Sequence, residues 1–333
     1  MLLKDDMDIK TVREYLGNDW TAVQENITSV LRSDIALLNA TNDSILANSG
    51  KQLRPLLSLL VAKACNGGVV TDASVRYAAA SELLHNATLL HDDVADDSDQ
   101  RRGVPTIRSL MGPSVSVLVG DYWLVKAMEL ILRDAATDAR TIRIFSKTLS
   151  DLAAGEMLQL QKAQSGDTDE KDYLRVIYSK TASLFEAACL SAAVSVGASA
   201  EYEKATVDYA VALGLAFQIK DDILDYDGTE SVGKPLGVDV LEQKITLPLL
   251  GALISSSDEE ASEIRNKIGE ILDHPEYRDD IVSFVKEKHG IEYALERLQQ
   301  YVDDAVRALD VLPDSVEKEC LVNLAHYTAI REK

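Results

Sequence analysis

A chain of 333 residues with 46% apolar character can bury a large core. Its 34 basic against 55 acidic side chains leave a formal charge of −21, which argues against a nucleic-acid partner and against an anionic membrane surface. Aromatics at 5% and only 7 prolines, amid abundant Ala, Leu, Val, Glu, Asp and Lys, favour helix over sheet. Cys65, Cys189 and Cys320 are odd in number and widely spaced, without a zinc or disulfide pattern, so a reducing compartment is expected.

The first ten residues, MLLKDDMDIK, carry acids where a signal peptide needs a basic flank. Residues Met1 to Asn18 show no clear pattern and are expected to form an N-terminal arm. From Trp20 to Leu46, apolar residues at helical spacing (Val23, Ile27, Val30, Leu31, Ile35, Leu38) predict one long amphipathic helix, ended by Asn48, Ser49 and Gly50. GKQLRP then opens a helix from Leu56 to Ala64 that is apolar almost all round and therefore buried. Asn66, Gly67 and Gly68 stop it, and Thr71 or Asp72 can cap the next. That helix carries the stretch LLHNATLLHDDVADDSDQRRG, Leu83 to Gly103.

Long helices are predicted over Val115 to Arg133, Asp138 to Gln164, Tyr173 to Val196 and Ala205 to Leu224. The greasy Val115 to Leu132 is broken by Asp121, Lys126 and Glu129, so it lacks the run of about 18 apolar residues that a spanning helix needs. GTESVGKPLGVD, Gly228 to Asp239, is the longest candidate loop and reads as a mobile flap over a site. Helical patterns resume over Val240 to Ile254, Ala261 to Leu272, Ile281 to Lys288, Glu292 to Leu309 and Val316 to Ile330. Strand-like alternation is sustained nowhere, and the fold class is all-α.

Two acid clusters carry the chemistry. Asp92 and Asp96 lie four apart on one helix face with Asp93 beside them, and Asp221, Asp222 and Asp225 in FQIKDDILDYD repeat the spacing. Carboxylates about 5 Å apart repel by roughly 3 kcal/mol at an effective dielectric near 20, so a cation is expected among them. A single such spacing is more often a solvated helix end. Two copies on otherwise apolar helices point instead to a cavity, with the two clusters facing each other across bound metal. Magnesium, which prefers hard oxygens and shares itself with phosphates, suits two carboxylates per side plus a diphosphate.

Cations define the substrate class. Lys51 and Arg54 in GKQLRP, and Arg101 and Arg102 after the first cluster, can bind phosphate oxygens. Lys180, Lys234 and Lys244 stand in SKTASLF, GKPLG and EQKITLP, and any one alone reads as a surface lysine. His85 shares the Asp92 face two turns away. A lone histidine on an apolar helix is usually a core residue, but this placement makes a phosphate contact equally reasonable. No Ser, His and Asp arrangement and no nucleotide-binding glycine turn is present.

These motifs together resemble the trans-isoprenyl diphosphate synthases, or polyprenyl synthetases. GKQLRP, HDDVADDSDQRRG, KTASLF, FQIKDDILDY and GKPLGVDVLEQKITLP match that family's ordered elements from about Gly50 to Pro248. The resemblance implies a single isoprenoid synthase domain of the type I fold, about ten or more helices around a central deep cavity. It implies that Asp92, Asp96, Asp221 and Asp225 hold metal, three magnesium ions in all, with Asp93 and Asp222 in the same catalytic set. Arg101, Lys180, Thr181, Gln218, Lys234 and Lys244 would then contact the allylic diphosphate. Lys51, Arg54, His85 and Arg102 would bind isopentenyl diphosphate. The implied reaction is a 1'-4 head-to-tail condensation, by a cytoplasmic homodimer loosely associated with membrane at most for product release.

Departures from the family pattern are Ser49, Gln52 and Gln243. In this family bulky aromatics four or five residues before the first aspartates shorten the product. Here those positions are Thr88 and Ala87, about 6 to 7.5 Å down the helix from Asp92. Small residues there predict a medium or long polyprenyl product, and Met128 is a candidate floor for a deeper pocket. A short-chain farnesyl or geranylgeranyl synthase is the alternative. A class I terpene synthase needs no second diphosphate site, so Lys51, Arg54 and Arg102 argue against it, and a non-catalytic acidic scaffold would need no magnesium.

Overall fold

The computed structural model describes residues 9–101, 103–134, 139–227 and 236–331. They fall into two compact units, each taken by itself below. One comprises the chain to Ser146 with Ala187–Val207 and Val311–Leu321; the other comprises Lys147–Glu186, Asp208–Asp310 and the chain from Val322. The all-α class holds. The exception among the described residues is a two-residue antiparallel pair, β1 (Gln100–Arg101) with β2 (Val104–Pro105), where Gly103 turns the RRG segment at φ 77°.

In the first unit, helix α1 runs Ile9–Val30 with a kink at Gly17. The expected arm is therefore corrected: Ile9 to Asn18 is helical, and Val12 and Leu16 are buried with Val23 and Ile27. Charged residues between these four hid a stripe that tertiary packing uses. The single helix predicted from Trp20 to Leu46 is also two, because the chain breaks after Leu31 and restarts as α2 (Ala36–Ala47). Asn39 staples the break, accepting from the Ser33 N–H at 3.0 Å and donating to its carbonyl at 2.7 Å. Asn42 donates to the Leu31 carbonyl at 3.0 Å and accepts from Trp123 Nε1 at 2.8 Å.

Helix α3 (Leu53–Cys65) is buried nearly all round, as its composition predicts. Helix α4 (Asp72–Ala95) starts at Thr71, whose hydroxyl accepts from the Ser74 N–H while Ser74 Oγ accepts from the Thr71 N–H. After the short α5 (Ile107–Met111) comes α6 (Pro113–Leu132), which packs along α4; α4 also contacts α1 and α3. Leu83, Leu84 and Ala87 of α4 and Trp123 and Ala127 of α6 lie in this core. Helix α7 (Ala139–Ser165) follows.

In the second unit, the helix predicted from Tyr173 to Val196 is interrupted. Helix α8 (Glu170–Ile177) passes into a π-helical turn, Tyr178–Ala182, before α9 (Ser183–Ser195). Helix α10 (Ala200–Asp227) carries the second acid cluster. The helix predicted from Val240 to Ile254 is likewise two, α11 (Val238–Leu241) and α12 (Leu247–Ile254), because Pro248 sits in a first turn and Gln243 adopts φ 58°. Helices α13 (Asp258–Gly269), α14 (Tyr277–Glu287) and α15 (Gly290–Ala308) continue, and α16 (Val316–Ile330) closes the chain. Leu247, Leu249 and Ala252 of α12 and Ala294, Leu298 and Val302 of α15 form buried stripes of this unit, and the two helices pack on each other. Among the described residues no helix is long and apolar enough to cross a membrane.

Candidate active site

Helix α4 delivers His85, Ala87, Thr88 and the first aspartates along its length. Ala87 is buried, whereas Thr88 and His85 are half-buried, and Thr88 Oγ1 donates to the His85 carbonyl at 2.8 Å. Met128 is half-buried on α6. His91 sits within 3.2 Å of Asp121 and packs flat on Gly120, where a Cβ would come within 2.5 Å of Nε2.

The first acid cluster lies where α4 ends. Asp92 is half-buried, Asp93 is buried, and Asp96 is the exposed C-cap, its N–H donating to the Asp92 carbonyl at 2.8 Å. Arg101 Nε donates to Asp93 Oδ1 at 2.8 Å, so the β1 turn folds this cation back onto the helix end. Asp97 and Asp99, without a role in the sequence reading, both bind Arg108 of α5, Asp99 at 2.7 Å. Together with the Thr106 hydroxyl on the Ser98 carbonyl at 2.8 Å, they hold the turn that presents Arg101. Lys51 is half-buried in the turn before α3 and Arg54 is buried in its first turn, with Gln52 between them in the left-handed region at φ 48°. Arg102 lies outside the described residues.

In the second unit two glycines set the geometry. A Cβ on Gly155 would lie 2.6 Å from Ser179 Cβ, and one on Gly214 2.6 Å from Ala182 Cα, so α7 and α10 both press against the π turn. That approach aligns Lys180 with α7, 2.6 Å from Glu156 and 3.0 Å from Gln159. It also aligns Thr181 with α10, where the hydroxyl donates to Gln218 Oε1 at 2.8 Å. Gln218 Nε2 in turn donates to Asp222 Oδ1 at 2.9 Å, and the Tyr173 hydroxyl donates to Asp222 Oδ2 at 2.6 Å.

Burial pushes the Asp222 carboxyl up to about 7, opposed by those hydrogen bonds and assisted by the charges of Asp221 and Asp225. Asp239 is raised well above the carboxylate range by burial and then by Asp222 and Asp225, with Lys244 opposing. Asp225 accepts from the N–H groups of Val238 and Asp239, both at 3.1 Å, and so ties down the described end of the predicted flap. Residues 228–235, with Lys234, lie outside the described residues. Asp221 pairs with Arg331 at 2.8 Å, and that guanidinium lies 3.9 Å over the Phe217 ring.

Lys162, Lys180, Lys244, Thr181, Asp222 and Asp239 line one cleft that opens to solvent. Lys244 pairs with Glu242, and Lys162 pairs with Asp172 at 2.6 Å. A cleft of lysines against one buried and one half-buried carboxylate suits a phosphate accompanied by a hard cation. Among the described residues no three acidic, imidazole or thiol groups converge closely enough to hold an ion unaided. Sequence reasoning missed Tyr173, Lys162 and Arg331, which belong to no motif, and gave Asp239 no role although it ends GKPLGVD. Gln243, a departure from the family pattern, donates to the carbonyls of Ile268 and Gly269 at 3.2 Å and anchors its loop to the end of α13.

The polyprenyl synthetase family model matches residues 35–286. The chain is 37% identical over 332 residues to a protein of Escherichia coli strain K12 named octaprenyl diphosphate synthase, covering 98% of this chain and all of that one. It is 34% identical over 330 residues to a short chain isoprenyl diphosphate synthase of Methanothermobacter thermautotrophicus, covering 98% of each. A solved polyprenyl synthase from Caulobacter crescentus CB15, complexed with calcium and isoprenyl diphosphate, superposes with a TM-score of 0.90 at 33% identity over 99% of this chain and all of that one. With a match of this length and the full set of ordered motifs, this chain belongs to the polyprenyl synthetase family.

Proposed function

We propose that the chain is a magnesium-dependent prenyltransferase that condenses isopentenyl diphosphate with an allylic diphosphate into a medium or long all-trans polyprenyl diphosphate. The observation that carries this is the 37% identity to octaprenyl diphosphate synthase across essentially the whole chain. Asp92, Asp96, Asp221 and Asp225 are the proposed metal ligands, with three magnesium ions accompanying the allylic diphosphate. Their donor set is wholly carboxylate, and in the second cluster burial holds the neighbouring acids Asp222 and Asp239 above their ordinary range, so added positive charge is favoured there. When bound, magnesium supplies charge neutralisation to the departing diphosphate.

The chain's own groups orient and stabilise. Arg101, Lys180, Thr181, Gln218 and Lys244, with Lys234, bind the allylic diphosphate and favour negative charge as it develops on the leaving group. Lys51, Arg54 and His85, with Arg102, hold isopentenyl diphosphate. The allylic C–O bond breaks with its electron pair on the diphosphate, the isopentenyl double bond attacks the resulting cation, and a proton is lost to the released diphosphate. No protein base is required. The two units are read as one isoprenoid synthase domain, and the exposed Val117, Leu118, Val125 and Leu132 of α6 support a homodimer. A cytoplasmic setting is in keeping with the free Cys65, Cys189 and Cys320.

Small side chains at Ala87 and Thr88 support the longer product. A short-chain enzyme is the second reading, favoured by the full-length match to the Methanothermobacter relative. Purified protein given farnesyl diphosphate, magnesium and excess isopentenyl diphosphate should yield, after dephosphorylation, an alcohol longer than geranylgeraniol by chromatography. Arrest at geranylgeraniol selects the second reading, and absence of any isopentenyl-dependent product rejects both.

A further inference from the structure

Arg13 lies in the segment whose sequence shows no pattern, yet its guanidinium is half-buried and engaged. Its Nη2 donates to the Lys51 carbonyl at 2.6 Å and reaches the Gly50 carbonyl at 3.5 Å. The guanidinium carbon sits 4.9 Å from the centroid of the Trp20 ring, two turns along α1. Burial lowers its pKa, and the charge of the buried Glu82 carboxylate of α4, one turn before His85, opposes that shift; α1 and α4 pack on each other. Arg13 is thus bordered by the GKQLRP turn and by the helix that carries His85.

The turn needs such a clamp. Gly50 adopts φ 70° and Gln52 φ 48°, so two left-handed residues flank Lys51, and Gln52 is buried as the residue that starts α3. The first described α3 ladder bond runs from the Leu56 N–H to the Gln52 carbonyl. The Gly50 and Lys51 carbonyls precede that ladder, and Arg13 supplies the donor that they meet. Nη2 carries two N–H groups and so can serve both carbonyls, held in a rigid plane that the mobile ammonium of a lysine lacks.

We propose that Arg13 is a positioning residue for isopentenyl diphosphate: by clamping the Gly50–Lys51 carbonyls it fixes the directions in which Lys51 and Arg54 leave the turn. The role rests on the assignment of Lys51 and Arg54 to that substrate. It makes α1 part of the acceptor side of the site, and it gives Arg13 no contact with either diphosphate.

The test is steady-state kinetics on the full chain with each substrate varied in turn, alongside thermal melting. Arg13→Ala should raise KM for isopentenyl diphosphate about tenfold while kcat and the KM for the allylic diphosphate change less than twofold. Arg13→Lys should give an intermediate rise with a melting temperature close to the parent. If Arg13→Ala loses its helical circular dichroism, Arg13→Lys decides alone: a raised isopentenyl KM supports the role and an unchanged one overturns it. Equal loss for both substrates in a folded variant also overturns it. Lys51→Ala is the control. If it raises the isopentenyl KM and Arg13→Ala does not, the positioning role fails and the substrate assignment stands; if Lys51→Ala leaves that KM unchanged, both fall.

Discussion

At the end of α4 the aspartates meet solvent and arginine, with Asp96 exposed, Asp93 paired to Arg101, and Asp97 and Asp99 gathered on Arg108. Within α10 the same spacing meets protein interior, where Asp222 is buried between Tyr173 and Gln218 and its carboxyl rises to about 7. Identical residue types at identical intervals thus differ in how their charge is handled. The first cluster is compensated by cations of its own turn. The second is compensated by a cation distant in sequence, Arg331 on Asp221, by hydrogen bonds from Tyr173 and Gln218 to Asp222, and by burial that favours the protonated Asp222 carboxyl.

The largest effect expected from breaking this contrast is catalytic. If Asp92 and Asp221 hold metal as proposed, Asp92→Ala and Asp221→Ala should each lower kcat by about 10²- to 10³-fold with far-ultraviolet circular dichroism unchanged. A loss in only one of the two would make the clusters unequal in function as well as in environment.

Next comes the pH dependence of stability in the metal-free protein. Asp222 is raised from 3.8 to about 7 on folding, so between these values the folded chain holds a proton that the unfolded chain has released. Its contribution is full below about pH 4 and is lost as pH rises towards 7. Denaturant melts at pH 5 and 8 should therefore differ, with the protein less stable at pH 8. Asp222→Asn should flatten that difference, and an equally steep profile in the variant would remove Asp222 as its source.

Smaller effects belong to the first cluster. Arg101→Ala leaves the buried Asp93 without its cation and should destabilise by about 1–3 kcal/mol, less for Arg101→Lys. A matched loss of activity, read as a raised KM for the allylic substrate, separates binding from folding. Arg108→Ala removes ion pairs to two exposed carboxylates and should cost under about 1 kcal/mol, diminishing with salt. A large salt-insensitive loss there would show that the turn, rather than α4, carries the first cluster.

Much was legible in the residues alone. Apolar periodicity gave the helical class and most helix positions, because burying one face of a helix demands that spacing. The motifs gave the family. The helix interruptions were not legible, since Asn39 and Asn42 end a helical pattern only by reaching the Ser33 N–H, the Leu31 and Ser33 carbonyls and Trp123. Nor did the sequence show why KTASLF matters locally. Its π turn is where α7 and α10 approach closely at Gly155 and Gly214, and neither glycine lies within that motif.

By itself, then, the sequence determined the all-α class, the order of the motifs and the residue types available to hold metal and diphosphate. Those follow from local periodicity and from chemistry intrinsic to each side chain. Only the tertiary structure decided which aspartates are solvated and which are buried. It also brought Tyr173, Lys162, Asp239 and Arg331 to the second cluster and its cleft, and Arg13 to the GKQLRP turn. Desolvation and long-range hydrogen bonds depend on neighbours distant in the chain, and no spacing within a motif records them.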